Sequence, residues 1–158
     1  VKPEHAAAAL ANFRSTGMRQ RARKCREVTV IEDCYNAKPD SVKAAMLTLG
    51  SRKIPDGAKK IAVLGDMLEL GAVAESAHLA AGEEAAAAAD VLFCCGELGR
   101  LIAKGAENAG MKNAKHFNSK DELAQELRKI ARPGDIIWLK ASRGMRFEDI
   151  AEAFYEEL

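Results

Sequence analysis

Short apolar segments recur along this chain, and each is followed by a polar turn and then by residues with helical spacing. The apolar segments are rich in β-branched residues, and runs that are apolar throughout are typical of strands buried on both faces. The predicted strands span 28–32, 60–64, 91–95 and 135–139, with a weaker one at 114–117. The basic stretch 18–26 alternates in part, which suits a strand at the edge of a sheet.

Between these strands the apolar residues follow a helical repeat. After Pro39 one face carries apolar residues at i, i+3, i+4 and i+7, namely Val42, Ala45, Met46 and Leu49. Further helices are predicted at 3–14, 75–89, 98–109, from Ser119 to Ile130 and at the C-terminus. The last helix carries one apolar stripe, formed by Phe147, Ile150, Ala151, Phe154 and Leu158.

Two of these helices carry further signals. In the helix at 98–109 we expect Leu98, Leu101 and Ile102 to face the core. Ser119, with Glu122 three residues later, has the spacing of a capping box and therefore predicts the start of a helix.

Alternation of strands and helices with short connections predicts an α/β fold. We expect a mostly parallel, Rossmann-like sheet with helices on both faces. Since crossovers between parallel strands are right-handed, the loops that follow the strands should line one edge of the sheet.

Composition narrows the classes of partner. The 158 residues include 24 Lys and Arg against 23 Asp and Glu, so the formal net charge is +1. This balance predicts no general affinity for nucleic acid or a membrane, and no apolar run reaches the roughly 20 residues of a membrane span. The basic cluster in 18–26 leaves nucleic-acid binding as an alternative. Without interleaved aromatic residues, a solvated edge or an anion contact is favoured.

Cysteine and histidine spacing predicts neither a metal site nor a disulfide framework. Cys25, Cys34, Cys94 and Cys95 form no CxxC pair, and three of them lie in or beside apolar segments. We expect reduced, mostly buried thiols in a cytoplasmic protein. The three histidines are too scattered to predict a metal site.

Three polar loops each follow a strong strand. They are 33–40 (DCYNAKPD), 65–71 (GDMLELG) and 140–145 (KASRGM). In parallel sheets, ligands bind at the carboxyl ends of the strands, so all three loops are expected to face one crevice. Ordinary turns are the alternative, since turns favour Asn, Asp, Gly and Pro. Tyr35, Lys140, Ser142 and Arg143 are not turn-forming residues, and they favour a functional interpretation.

The first loop carries groups that suit a nucleotide. The Asp33 carboxylate can accept two ribose hydroxyls, and its alternative role is to cap the next helix. The Asn36 amide can read a purine edge or form an Asx turn. Arg19, just after Gly17, can pair with phosphate through its guanidinium fork, or it is a surface charge.

The other two loops carry groups that suit an amino acid. Asp66 can bind an ammonium group or a metal-bound water, or it shapes its turn. Ser142 and Arg143 can bind a carboxylate through a hydroxyl and a guanidinium fork, or they cap the final helix. His78, on the helix after the second loop, can reach the crevice, although a lone helical histidine is more often structural or exposed.

Several catalytic motifs are absent from the sequence. It contains no P-loop motif, no glycine-rich dinucleotide fingerprint and no nucleophile elbow. The residues alone therefore predict a ligand-binding α/β domain without a complete catalytic machine.

Five segments together resemble a known family. They are TGMR (16–19), VIEDCYNAKPDSVKAA (30–45), KIAVLGDMLELG (60–71), ESAH (75–78) and LKASRGMRFEDI (139–150). In this order they resemble the C-terminal domain of the Mur ligases, the cytoplasmic amide-bond ligases of peptidoglycan synthesis. LGDMLELG and the YNA-x-P turn most resemble the members that act on D-alanyl-D-alanine.

The resemblance implies an ATP-dependent ligase of three domains. It implies that ATP and Mg²⁺ are bound mainly by a central domain, which would also hold the catalytic residues. Residues 1–14 would be the end of that domain, and 15–158 the C-terminal domain, inactive by itself. The implied partners are UDP-N-acetylmuramoyl-tripeptide, D-alanyl-D-alanine and ATP, in a cytoplasmic monomer. A stand-alone nucleotide or amino-acid binding module is the alternative.

The resemblance also implies roles for individual residues. Arg19, Asp33, Tyr35 and Asn36 would contact ATP. The implied contacts to the incoming dipeptide come from Asp66, Ser142, Arg143 and His78. Two positions depart from the family pattern: Lys38 replaces an asparagine, and Ala141 replaces a glycine.

Overall fold

In the computed structural model, which describes residues 2–5 and 19–156, six strands form one sheet. The strands are β1 (Arg21–Cys25), β2 (Val28–Asp33), β3 (Lys60–Gly65), β4 (Val91–Cys95), β5 (Ala114–Phe117) and β6 (Ile136–Lys140). The helices are α1 (Pro39–Ser51), α2 (Ala74–Ala88), α3 (Gly99–Asn108), α4 (Lys120–Ile130) and α5 (Glu148–Glu156).

The sheet is parallel except at one edge. Its order is β1-β2-β6-β3-β4-β5, and only the pairing of β1 with β2 is antiparallel. The last strand, β6, lies between β2 and β3. The helices after β6 and β3 pack on opposite faces, so a topological switch point lies at the carboxyl ends of these two strands. This α/β architecture confirms the fold class predicted from the alternation of elements.

Two hydrophobic cores cover the two faces of the sheet. Alternate residues of β6 point to opposite faces, with Trp138 in the core beneath α1, α2 and α3, and Leu139 in the core beneath α4 and α5. The predicted apolar face of α1 is fully buried, as Val42, Ala45, Met46 and Leu49. No helix in the described part of the chain is long and apolar enough to cross a lipid bilayer.

The inward face of α3 differs from the expectation. Ile102 is buried, but Leu98 and Leu101 are only half-buried. The reason is a close approach of two helix backbones at Gly82 in α2 and Gly105 in α3. A Cβ atom at Gly82 would lie 2.0 Å from the carbonyl oxygen of Ile102. Small residues make this contact, so large apolar side chains are displaced to its margin.

Two other helix predictions are confirmed, and a third falls mostly outside the described residues. Ser119 accepts a hydrogen bond from the backbone N–H of Glu122 at 3.2 Å, so it caps α4 as predicted. Of the apolar stripe predicted for the last helix, Ile150, Ala151 and Phe154 are buried in α5, and Phe147 is buried just before it. Leu158 and most of the helix predicted at 3–14 lie outside the described residues.

All four cysteines are free thiols, as expected from their spacing. Cys34, Cys94 and Cys95 are buried, and Cys25 is half-buried. Burial, together with the neighbouring carboxylates of Glu148 and others, raises the pKa of the Cys34 thiol to about 12. This thiol therefore stays protonated at neutral pH, when it is a poor nucleophile.

Candidate functional site

Three loops meet at the carboxyl edge of the sheet, and Ser142 lies at their junction. Its hydroxyl accepts a hydrogen bond from the N–H of Leu68 at 2.9 Å and donates one to the carbonyl of Ala37 at 3.4 Å. Its backbone N–H donates to the carbonyl of Asp66 at 3.1 Å. Ser142 thus ties the loop after β6 to the loops after β2 and β3. The three loops predicted to share a crevice are joined in the structure.

A surface pocket of about 710 Å³ lies beside the carboxyl end of β2 and the first turns of α1. It lies within the usual volume range of small-molecule sites. The four residues predicted to contact nucleotide all line it, namely Arg19, Asp33, Tyr35 and Asn36. Lys140 joins them from β6.

A buried ion pair forms the floor of this pocket. The Nζ of Lys140 lies 2.8 Å from Oδ2 of Asp33, and it also donates to the carbonyl of Asn36 at 3.0 Å. The Lys140 side chain is only 3% exposed. The two residues face each other in the parallel register of β2 and β6. Lys140 therefore fixes the Asp33 carboxylate at the strand end and shapes the turn that carries Asn36.

Lys140 was not among the predicted binding residues. The sequence shows only a lysine at the end of an apolar strand, 107 positions from its partner. Lysine is not a typical turn-forming residue, and this was the one feature of the sequence that could have indicated a role for Lys140. Its role follows from the placement of β6 directly beside β2.

The rim of the pocket carries an aromatic ring and a guanidinium. Tyr35 is 47% exposed, and the guanidinium carbon of Arg19 lies 4.1 Å from the centre of its ring. This is cation–π geometry. The Oδ1 of Asn36 accepts a hydrogen bond from the N–H of Ala37 at 2.9 Å, so the acceptor end of the amide shapes the turn. A ligand would meet the donor end.

The start of α1 excludes the alternative role of Asp33. The helix is capped instead by Lys38 and Ser41, with the N–H of Lys38 donating to the Ser41 hydroxyl at 3.0 Å. Lys38, which departs from the family pattern, also donates from Nζ to the carbonyl of Leu68 at 3.0 Å. Its side chain therefore joins the turn after β2 to the loop after β3.

Asp66 is nearly buried and accepts a hydrogen bond. Its Oδ1 receives the backbone N–H of Leu98 at 3.1 Å, just before α3. Gly96 lies against this carboxylate with φ +120°, and a Cβ there would lie 2.3 Å from Oδ1. Glycine is required at this position on both counts. Asp66 therefore holds the loop after β4 in addition to shaping its own turn.

The structure places His78 beneath the crevice rather than in it. It is fully buried, its Nε2 accepts the N–H of Met67 at 2.9 Å, and its Nδ1 lies 2.6 Å from the carbonyl of Ala74. This pair of contacts assigns the proton to Nδ1. A direct contact with a ligand, as the family resemblance implied, does not fit this burial. His78 instead holds the loop after β3.

Replacing His78 with leucine is expected to lower the free energy of unfolding by about 1–3 kcal/mol, because the buried N–H of Met67 loses its acceptor. Amide hydrogen exchange checks the cause, since Met67 should lose protection. The Ser76→Ala variant, on the exposed side of the same helix, should stay within about 0.5 kcal/mol of the parent. Unchanged protection of Met67 in His78→Leu would contradict this role.

The loop after β6 is held from outside the crevice. Lys120 donates to the carbonyls of Met145 and Arg146 at 3.3 and 3.2 Å, and it pairs with Asp149. Hydrogen bonding to Lys120 holds the pKa of Asp149 below its usual range. These contacts set the short 3-10 turn at Arg143–Met145.

Arg143 lies on the outside of that turn. Its side chain is 57% exposed, and Nη1 lies 2.9 Å from Oε1 of Glu148. Ser142 and Arg143 therefore play different parts, because Ser142 is nearly buried at the loop junction. The Ser142 hydroxyl bonds to the neighbouring loops, so its alternative role as a cap of the final helix is not observed.

The second departure from the family pattern is accommodated in the core. The Ala141 methyl group is fully buried, and it lies close to Gly65 at the end of β3. A Cβ at Gly65 would lie 2.9 Å from that methyl group and 2.4 Å from the ring of Phe147. The space at the base of the loops is thus shared by Ala141, Phe147 and a residue without a side chain.

No group of three or more His, Cys, Asp or Glu residues in the described ranges is arranged to hold a metal ion. What the site offers is a carboxylate fixed by a lysine, an exposed aromatic ring and a guanidinium on one side. The other side presents loop backbone, held by the Ser142 hydroxyl, and a second guanidinium. Groups of these kinds are suited to hydrogen bonding, stacking and charge pairing.

Comparison with known proteins identifies similar sequences. Residues 18–143 match the family described as "Mur ligase, glutamate ligase domain". The chain is 39% identical over 159 residues to UDP-N-acetylmuramoyl-tripeptide--D-alanyl-D-alanine ligase of Bacillus subtilis, covering 99% of this chain and 34% of that protein. The protein of the same name in Escherichia coli is 29% identical over 133 residues, covering 80% of this chain and 27% of that protein. The chain thus spans about a third of the length of these relatives.

Solved structures of Mur ligases contain a domain with the same fold. The MurF ligase from Thermotoga maritima in complex with ADP aligns with a TM-score of 0.76 and 28% identity, over 94% of this chain and 33% of that one. MurF from Acinetobacter baumannii aligns with a TM-score of 0.82 and 24% identity, over 99% of this chain and 34% of that one. The second likeness supports the architecture alone.

Proposed function

Since the chain belongs to the Mur ligase family and matches its glutamate ligase domain, we propose that it is the C-terminal domain of an ATP-dependent ligase. The proposed reaction joins D-alanyl-D-alanine to UDP-N-acetylmuramoyl-tripeptide in peptidoglycan synthesis. In this proposal the domain delivers the dipeptide and covers one side of the nucleotide.

The observation that carries this proposal is the similarity, along nearly the whole chain, to a ligase that bears this name. The geometry supports it independently. Two groups of polar residues, one suited to a nucleotide and one suited to an amino acid, meet at the junction around Ser142. A ligase that phosphorylates an acid with ATP and then joins that acid to an amine needs both groups close together.

The nucleotide side fits a nucleoside. Asp33, with Oδ2 held by Lys140, would accept ribose hydroxyls through its other oxygen. The exposed ring of Tyr35 offers a stacking face, and the donor end of Asn36 suits a purine edge. Arg19 would pair with a phosphate once it leaves the face of Tyr35.

The acceptor side fits a small peptide with a free carboxylate. Arg143 is exposed and offers a guanidinium fork to that carboxylate. The loop after β3, held by His78 and Ser142, offers backbone groups at a fixed distance from the nucleotide side. Asp66 lies at the base of this loop, where it would hold the amino group of the dipeptide, which attacks as the neutral amine after losing a proton.

The domain is proposed to act by closure on residues outside this chain. When bound, ATP supplies the phosphoryl group that activates the tripeptide carboxylate, with Mg²⁺ balancing the phosphate charge. Residues of this chain position the nucleotide and the amine, and they exclude water when the domains close. We place the reaction in the cytoplasm, where it serves cell-wall growth, cell shape and division, and we expect a monomer.

Titration of the ¹⁵N-labelled chain with ADP and with D-alanyl-D-alanine, added separately, tests the two sides by NMR. ADP is expected to shift the amides of Arg19, Tyr35 and Asn36. The dipeptide is expected to shift those of Leu68 and Arg143. Both sets lie at the carboxyl edge of the sheet, where ligands of parallel sheets bind.

Pyrophosphate and L-alanyl-L-alanine are the matched control ligands. Each should cause smaller shifts than its partner, because one lacks the nucleoside and the other has the opposite stereochemistry. Shifts confined to the amino edge of the sheet would contradict the site. Phosphate release by this chain alone, with all three substrates present, would contradict its assignment as one part of a ligase.

The alternative of a stand-alone binding module is not favoured. The two relatives, which match 99% and 80% of the chain, are about three times as long, and they are named as ligases. Assay of the full-length gene product separates the two functions. A ligase releases phosphate only when both the tripeptide precursor and the dipeptide are present.

A further inference from the structure

A second buried carboxylate lies next to Asp33 on β2. Glu32 is 2% exposed, and it points to the opposite face of the strand from Asp33. Its Oε2 receives Nε and Nη2 of Arg21 at 3.0 and 2.6 Å. Its Oε1 receives the hydroxyl of Tyr155 at 2.8 Å, with Nη1 of Arg23 at 3.7 Å. One carboxylate thus gathers groups from β1 and α5.

The partner on α5 is suited to this role. Burial, together with the Glu32 carboxylate, raises the pKa of Tyr155, so its hydroxyl remains a donor at neutral pH. The guanidinium of Arg23 stacks over the same ring at 4.2 Å. At its other end, α5 begins with Glu148, which pairs with Arg143 of the loop after β6. One helix therefore contacts both β1 and the acceptor side of the site.

Arg21, the partner of Glu32 on β1, lies two residues after Arg19 of the proposed nucleotide site. Arg21 faces Glu32 as the first pair in the antiparallel register of β1 and β2. Only Gln20 separates it from Arg19, and the positive φ of Gln20, 53°, bends the backbone at that point. Beyond the bend, the guanidinium of Arg19 lies 4.1 Å from the ring centre of Tyr35.

The N-terminal end of β1 would be held weakly if backbone hydrogen bonds to β2 were its main contacts. The strand lies at the edge of the sheet, and four of its five residues are exposed. Little apolar burial therefore opposes fraying of its first residues. Two hydrogen bonds from the Arg21 guanidinium to one oxygen of the buried Glu32 carboxylate anchor this end of the strand, because charge-assisted hydrogen bonds are stronger than neutral ones.

We propose that Glu32, held by Arg21 and Tyr155, is a positioning residue that sets the place of Arg19 at the nucleotide site. The importance of Arg19 for nucleotide rests on the proposed function. The linkage from Glu32 through Arg21 to Arg19 does not, and it can be measured without a nucleotide.

Glu32→Gln is the principal test, because it keeps the shape of the side chain and removes its charge. We expect loss of the NMR cross-peaks between the Arg19 side chain and the Tyr35 ring, with the cross-peaks of Lys140 to Asp33 and Asn36 retained. In the full-length ligase we expect the KM for ATP to rise about tenfold, the scale of one charge-assisted hydrogen bond. The KM for D-alanyl-D-alanine should stay unchanged.

Two further variants make the test specific. Glu27→Gln makes the same chemical change on the exposed turn of the same hairpin, and it should leave every readout unchanged. Tyr155→Phe removes one hydrogen bond and keeps the ring, so it should weaken the Arg19 cross-peaks in part. It also replaces Glu32→Gln if that variant fails to fold.

Retention of the Arg19 cross-peaks and the KM for ATP in folded Glu32→Gln or Tyr155→Phe would overturn the proposal, even if stability falls. Loss of the cross-peaks in Glu32→Gln, with Glu27→Gln unchanged, supports it. If the parent chain shows no response to ADP, the nucleotide site of the proposed function fails. The linkage is then judged by the cross-peaks alone.

Discussion

Lys140→Met is expected to lower the free energy of unfolding by about 3–5 kcal/mol and to abolish the response of the pocket to ADP. The substitution leaves the nearly buried Asp33 carboxylate without the cation 2.8 Å away. An unpaired charge in such a site costs about this amount. For a domain whose total stability is about 5–15 kcal/mol, this is a large fraction. Urea unfolding and ADP titration by NMR measure the two effects.

The double variant Asp33→Asn with Lys140→Met separates stability from binding. No charge then remains buried, so much of the lost stability should return, whereas the response to ADP should not. Lys104→Met, at an exposed position of α3, is the matched control and should change stability by less than about 0.5 kcal/mol. A double variant that responds to ADP like the parent would exclude this ion pair from the nucleotide site.

Gly82→Ala is expected to cost about 3 kcal/mol of stability, near the upper end of the usual range for overpacking. The new Cβ would lie 2.0 Å from the carbonyl oxygen of Ile102 and 2.7 Å from the backbone nitrogen of Ala106. Both contacts are with backbone atoms of α3, so no side chain can move away to relieve them. The helices α2 and α3 must separate.

The effect of Gly82→Ala should extend to the acceptor side of the site. Asp66 bonds to the N–H of Leu98 just before α3, so displacement of α3 is expected to disturb the loop after β3. Loss of the dipeptide-induced shift at Leu68, with the ADP response retained, would show this. Thermal or urea unfolding measures the loss of stability itself.

Gly50→Ala is the matched control for this helix contact. Gly50 lies within α1, and a Cβ there would meet Ala88 at 3.5 Å, an ordinary contact. Alanine should stabilise the helix by about 0.5–1 kcal/mol relative to glycine. If Gly82→Ala is as stable as Gly50→Ala, the backbones of α2 and α3 do not lie in the close contact described for Gly82.

Local patterns predicted the elements of this fold well. The spacing of Val42, Ala45, Met46 and Leu49 defined the buried face of α1, because helical periodicity depends only on neighbouring residues. The prediction for α3 was less accurate, since it assumed that large apolar residues face the core. There the partner is a backbone, and the contact selects glycine and alanine.

The residues of the candidate site were predicted less completely than the helices and strands. The residues expected to bind nucleotide line one pocket, as the strand-end rule indicated for Asp33 and Asn36. Lys140 and Glu32 were missed, although both are nearly buried charges that bond to distant residues. From the sequence alone, a charged residue at a strand end is expected to be exposed. Its burial can be predicted only when the residue that pairs with its charge is known.

Residue spacing predicted the alternation of strands and helices, the buried face of α1 and the three polar loops at strand ends. These features depend on residue spacing over one or two turns, and nearby residues encode them. The position of β6 between β2 and β3 is a feature of the folded chain that no local pattern predicted. This order pairs Lys140 with Asp33, places Ser142 among three loops, and lets α5 reach Glu32. Such pairings depend on strand order, which local periodicity leaves open.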